Sequence, residues 1–300
     1  MKINILTTYK NERQKIKHPV INLSILLLVT IFFSYLGESI GIAGIKSIIA
    51  IFNIGNATKN NYAYVDLFFT IIPILVILIY QKYINAHSIF ALGLKTDKIL
   101  KYIIMGSLFG LVSFSLTFVL NYLIGVAKPN FQTVNYFYLG LFLLGFIIHG
   151  FSEEIIFRGL LFPEISATTN IYIGAFISSI IFALAHLSNP GFNLIAAFNL
   201  FLFSITTCTL YYKFQNIWII GFAHAFWNFA QGNIFGVAVS GFAHFDSFIN
   251  TILDDTSILN GGAFGFEAGL ICTAIMLVAN ILIILTIKRR KNAINNQKYQ

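Results

Sequence analysis

The sequence predicts an all-α protein: a polytopic transmembrane helical bundle of about eight spans, with both termini cytoplasmic. Three observations point there. Hydrophobic residues make up 57% of the 300 and charged residues only 10%, where a soluble domain carries about 25% charged residues. Apolar runs close to the ~20 residues needed to cross hydrocarbon recur along the chain. The basic residues fall mostly on one side of the layout that those runs define.

The runs lie near 20–37, 67–81, 102–127, 131–152, 171–187, 192–212, 217–232 and 268–287. In lipid each must satisfy its own backbone groups, so it is a helix unless the chain closes into a barrel. No run alternates with period two, which leaves helices. The first run follows a basic segment, as a secretory signal would. It is long for a signal core, however, and "SYLGES" is a poor cleavage site, so an uncleaved span is expected. Residues 38–63, with "ESIGIAGIKSIIAIF", suit an interfacial helix. Residues 82–101 form a basic link, and 233–266 an external connection with Asp246, Asp254 and Asp255.

With the N-terminus inside, all 19 Lys and Arg except Lys46, Lys59 and Lys128 face the cytoplasm. The net charge of +8 therefore reports topology under the positive-inside rule. No basic patch interleaved with aromatics remains for nucleic acid. The lipid bilayer is the first partner, and a multi-pass location in the cell membrane follows. No Pro-, Gly- or Ser-rich linker divides the chain, so 1–300 is read as a single membrane domain. Cys208 and Cys272 lie in apolar runs and read as small core residues without a disulfide. "GGAFGFEAG" lacks the Lys-Ser/Thr of a phosphate loop. Its Gly261, Gly265 and Gly269 recur every fourth residue, as small residues do where membrane helices touch.

Ionisable groups inside spans cost about 2.5–3.5 kcal/mol each at the centre and mark function. "HGFSEEIIFRGLLF", residues 149–162, concentrates them. Glu154 and Arg158 are four apart, share a helix face and offset each other's burial. Glu153 points about 100° away and has no cationic partner expected on its own helix. A carboxyl so placed in low dielectric is suited to proton transfer. His186 lies in the fifth run; His224 and Asn228 lie one turn apart in the seventh.

A turn at "SATTN", residues 166–170, sets the depths. Glu153 and His186 come roughly 20 and 24 Å from it, and His224 and Asn228 about 12–18 Å from the same face. The four converge somewhat toward the cytoplasmic half. His149 reads as an interhelical hydrogen-bonding residue. His18, His87 and His244 read as residues of connections.

A Glu and a His at one level can hold a water between them, and a second His with an Asn can donate to developing negative charge. That is a hydrolase in which water attacks a carbonyl with no covalent intermediate. No Ser or Cys is paired with a base. A zinc ion on Glu153, His186 and His224, with one open position, is the alternative; HExxH is absent. A non-catalytic scaffold or bacteriocin-immunity protein and a proton-coupled transporter are readings of other classes.

"EEIIFRG" resembles the EExxxR motif of the CPBP family, the CAAX proteases and bacteriocin-processing proteins, also called Abi. "FALAH", Phe182 to His186, resembles its FxxxH motif, and "HAFWN", His224 to Asn228, its HxxxN motif, in the family's order. The resemblance implies an intramembrane endopeptidase similar to the type II prenyl-protein protease, with its catalytic core at 131–232 and a peptide or membrane-protein substrate. It implies that Glu153 activates water with help from His186. His224 and Asn228 would stabilise the oxyanion, and Glu154 and Arg158 would support the site. A glutamic mechanism without cofactor is favoured over zinc, because a neutral Asn228 suits an oxyanion better than a metal. The prenylated substrate itself is not carried over.

Overall fold

A computed structural model of the chain describes residues 66–84, 88–243, 246–254 and 257–297, with isolated positions between 24 and 47 and side chains as far as Arg289. The span expected at 20–37 and the segment 38–63 lie outside these residues but for those positions. His18, His87, His244 and Asp255 lie outside them too.

Five described helices are long and apolar enough to cross a membrane: Asp66–Tyr83, Ile99–Ile124, Tyr136–Thr168, Leu194–Phe214 and Leu270–Arg289. The protein is a multi-pass membrane protein of helical build. By regular segments, the described α-helices are α1 (Ile71–Ile79), α2 (Ile99–Ile124), α3 (Tyr136–Glu154), α4 (Phe162–Thr168), α5 (Ile171–Leu184), α6 (Leu194–Phe214), α7 (Ile217–Phe229) and α8 (Leu270–Gln297). Two runs expected as spans are short. α5 has 14 residues, about 21 Å at 1.5 Å per residue, and α7 has 13. The run expected at 131–152 continues helical past its charges: α3 passes through the charged motif into α4, one span over Tyr136–Thr168.

Four helices begin in the same way. Asn135, Asn170, Asn193 and Asn216 each accept a backbone N–H of the helix they open: those of Phe137, Tyr172, Ile195 and Trp218 at 2.9–3.0 Å. An Asn there satisfies donors that a helix start leaves orphaned. This fixes the turn between α4 and α5 at 169–170.

α7 is the axis of the bundle. Gly106 and Gly110 of α2 lie against the carbonyls of Ile219 and Ala223, where any Cβ would overlap backbone. On the other side, a Cβ at Gly150 of α3 would sit 3.0 Å from Ala225 N and 3.1 Å from Gly221 O. Glycines on both neighbours let the three backbones close up. His224 and Asn228 are thereby held deep inside the bundle, 5% and 3% exposed.

The α-helix ladder is interrupted within the first motif, from Ile155, and again just after the third. Ile155–Leu161 and Ala230–Ile234 are π-helical, the wider turn often found at functional sites. Ser178 of α5 donates its hydroxyl to the carbonyl of Phe157 in the first of them, at 3.1 Å.

The connections hold structure that an all-α reading does not contain. β1 (Ala127–Phe131) pairs antiparallel with β2 (Ile249–Leu253), Ala127 facing Leu253. This ribbon ties the α2–α3 connection to the stretch 233–266. The glycine recurrence at 261, 265 and 269 is also corrected: it is not a helix–helix seam. Gly261 and Gly265 have φ of +78° and +94° and link short 3-10 turns ahead of α8. That left-handed region is open to glycine at little cost. Gly265 packs on the Ala238 carbonyl, bringing this loop against the segment that walls the candidate site.

Candidate active site

A cavity of about 340 Å³ opens at the end of the bundle carrying residues 185–189 and 239–243. It reaches inward to Glu153, His186, His224 and Asn228, so the structure brings the four candidate residues to one space. Helices supply three of them. His186 is in the turn that follows α5, because that short helix ends at Leu184.

Glu153 sits among imidazoles. Its Oε2 is 3.6 Å from His224 Nε2, and its Oε1 is 4.0 Å from His186 Nε2. A third ring was not expected here: His149 Nε2 lies 3.7 Å from Glu153 Oε1. Glu153 therefore has an imidazole neighbour on its own helix that the sequence reading did not bring to it. His149 is one turn earlier, and the same i, i+4 rule that pairs Glu154 with Arg158 also predicts this contact.

The two motif histidines are held from behind. His186 Nδ1 is 2.9 Å from the Phe182 carbonyl. A carbonyl can only accept, so Nδ1 carries the proton and Nε2 faces Glu153. His224 Nδ1 is 3.0 Å from Glu154 Oε1, and a carboxylate there again draws a proton onto Nδ1. Both rings thus aim Nε2 at the cavity.

Glu154 has two tasks where the sequence suggests one. Its Oε1 accepts from Arg158 Nη1 and from His224 Nδ1, each at 3.0 Å, with Glu154 and Arg158 wholly buried. Phe182 explains the aromatic in its motif. Its ring lies 4.4 Å below the Arg158 guanidinium, a cation–π contact in a desolvated place. One residue therefore seats Arg158 with its ring and His186 with its carbonyl.

Cavity residues that sequence reasoning missed come from the ends of elements: Asp66 and Thr70 near α1, Asn189 after His186, and Ser240 with Phe242. Only His149 carried a usable spacing signal. The ligand set Glu153, His186 and His224 is not confirmed as a metal centre. Among the described residues no three His, Cys, Asp or Glu side chains are arranged to hold a metal ion. Cys208 and Cys272 are buried and free.

Residues 135–230 match the family described as type II CAAX prenyl endopeptidase Rce1-like. This segment is Rce1-like. The match covers α3 to α7 and contains all three motifs, the π-turn after Glu154 and the paired Glu154 and Arg158. It supports an intramembrane protease of the CAAX-protease kind. The Rce1-like segment ends before Ser240, β2 and Glu267, so one wall of the cavity lies beyond it. No curated protein matches the chain.

Proposed function

We propose that the protein is an intramembrane endopeptidase that hydrolyses a peptide bond of a membrane-associated peptide or protein through a water activated by Glu153 and His186. The spacing of Glu153 from the two Nε2 atoms carries this reading. At 3.6 and 4.0 Å these groups are too far apart to bond directly, yet close enough for one water at roughly 2.8 Å from each.

In the reaction, the water donates one hydrogen to Glu153 and the other to His186 Nε2. Its oxygen attacks the scissile carbonyl carbon as Glu153 takes the proton. The C=O electron pair moves onto oxygen, giving a tetrahedral oxyanion. Asn228 Nδ2 donates to that oxygen. His224 does so too when both its nitrogens carry protons, with Glu154 balancing the charge from behind. Collapse of the intermediate breaks the C–N bond, and Glu153 returns its proton to the leaving amine. No covalent enzyme intermediate forms and no cofactor is needed.

The family's printed name points to prenylated CAAX proteins; the proposal for this chain extends to a membrane-associated peptide. Mass spectrometry of membrane peptides from cells carrying the wild-type protein or Glu153→Ala tests the proposal. Product peptides should be present with the first and missing with the second. Identical peptide pools at equal protein levels would refute it.

A further inference from the structure

One buried carboxylate stands outside the Rce1-like segment and outside the mechanism. Glu267 is 8% exposed in the loop before α8. Its Oε2 accepts from the Ser240 backbone N–H at 2.7 Å, the Ser240 hydroxyl at 2.9 Å and Gln231 Nε2 at 3.2 Å. Its Oε1 accepts from the Trp227 indole N–H at 3.2 Å. Two donors thus belong to the cavity's turn. The other two belong to the helix of His224 and Asn228 and to its π-helical end.

The turn has a reason to need holding. Val239 and Phe242 exchange backbone hydrogen bonds at 2.8 and 2.9 Å around Ser240 and Gly241. Both central residues have positive φ, +46° and +88°, as a type I′ turn requires. Serine is a poor residue for that region. Bonds from its own N–H and hydroxyl to one carboxylate offset the cost. Asn189 Nδ2 holds the other side, donating to the Ser240 carbonyl at 2.9 Å. Val239, Ser240 and Phe242 all line the cavity with Glu153 and Asn228.

We infer that Glu267 is a positioning residue: it clamps the Val239–Phe242 turn against the helix carrying Asn228, and the clamped turn is the wall that decides which substrate side chain fits beside Glu153. The inference rests on the peptidase reading for its consequence, and on geometry alone for the clamp. Rim residues that shape binding in ground state and transition state alike change KM and leave kcat. Glu267 acts through the turn and touches no reacting atom.

The test uses the full chain in vesicles of phosphatidylcholine and phosphatidylglycerol. Hydrogen exchange at 237–243 reads the clamp without any need for activity. In Glu267→Gln, exchange there should rise about tenfold or more, because local opening becomes easier. Ser240→Ala, which loses one bond and is gentle on folding, should move the same way by less. Cleavage is then read with a library of single-span peptides that vary the residues around a central bond. The expected result in Glu267→Gln is a KM about tenfold higher with kcat within about threefold, and acceptance of bulkier residues. Unchanged exchange in both variants overturns the clamp. Faster exchange with unaltered KM and selectivity in an active wild-type background overturns the wall. A fall in kcat at constant KM overturns it as well. A wild-type protein that cuts no peptide defeats the peptidase reading instead, while exchange still decides the clamp.

Discussion

Glu153 lines the cavity, half-buried, while the buried Glu267 stands behind the Ser240 wall, and the surroundings of these two carboxylates differ in kind. Glu267 is saturated: four donors lie within 3.2 Å of its oxygens. Glu153 has neighbours of the right chemistry at the wrong distance, three imidazole nitrogens at 3.6–4.0 Å. A carboxylate whose lone pairs are all engaged holds structure together and has nothing to offer a reactant. One whose partners stand off by the width of a bridging water can accept a proton. Glu154 is the intermediate case, bonded to Arg158 on one side and to a cavity-facing histidine on the other.

The comparison can be broken by mutation, and the largest effect belongs to Glu153. Glu153→Ala should abolish peptide cleavage while the unfolding temperature in detergent stays near the wild-type value. A large stability loss with residual activity would put Glu153 in the same class as Glu267. Next comes Arg158→Met, which strands the Glu154 carboxylate in a wholly buried site. Breaking a buried pair costs about 3–5 kcal/mol, to be read by chemical denaturation. A neutral result would mean that Glu154 and Arg158 are not a unit. Asn228→Ala should lower kcat by about 10²–10³, the usual cost of a lost oxyanion donor, with little change in stability. Trp227→Phe, on the neighbouring residue, should do the reverse. It removes one hydrogen bond to a charged acceptor, worth about 1.5–3 kcal/mol of stability. Smallest is Phe182→Leu, which removes the platform under Arg158 at a cost of about 1–2 kcal/mol, visible as a modest drop in unfolding temperature.

The same contrast explains what could be read from the sequence. Glu153, His186, His224 and Asn228 stand out because a polar group in an apolar span is costly, and helix spacing then fixes which of them share a face. The Rce1-like match, residues 135–230, contains all four. Glu267 and Ser240 lie in a connection, where polar residues are ordinary. Their burial follows only from a loop folding over the end of the bundle. The ribbon of β1 and β2 joins residues more than a hundred positions apart, beyond any local pattern. His149 was legible by spacing alone but reads as a common interhelical histidine. "GSLFG" at 106–110 was the true close-packing signal, whereas the glycines at 261–269 mark turns. Depth arithmetic from "SATTN" places Glu153 and His186 at one level, but it misses that α5 stops short and leaves His186 in a turn.

The most direct test of the central claim is cleavage of a single-span peptide in ¹⁸O-water by the purified, chelator-treated protein and by Glu153→Gln. The account predicts that the chelated wild type still cuts and that each new carboxylate carries one ¹⁸O from the first turnover. Glu153→Gln, with the same shape and no base, should make no product. Cleavage by Glu153→Gln at the wild-type rate, or wild-type activity lost to the chelator and restored by zinc, would contradict it.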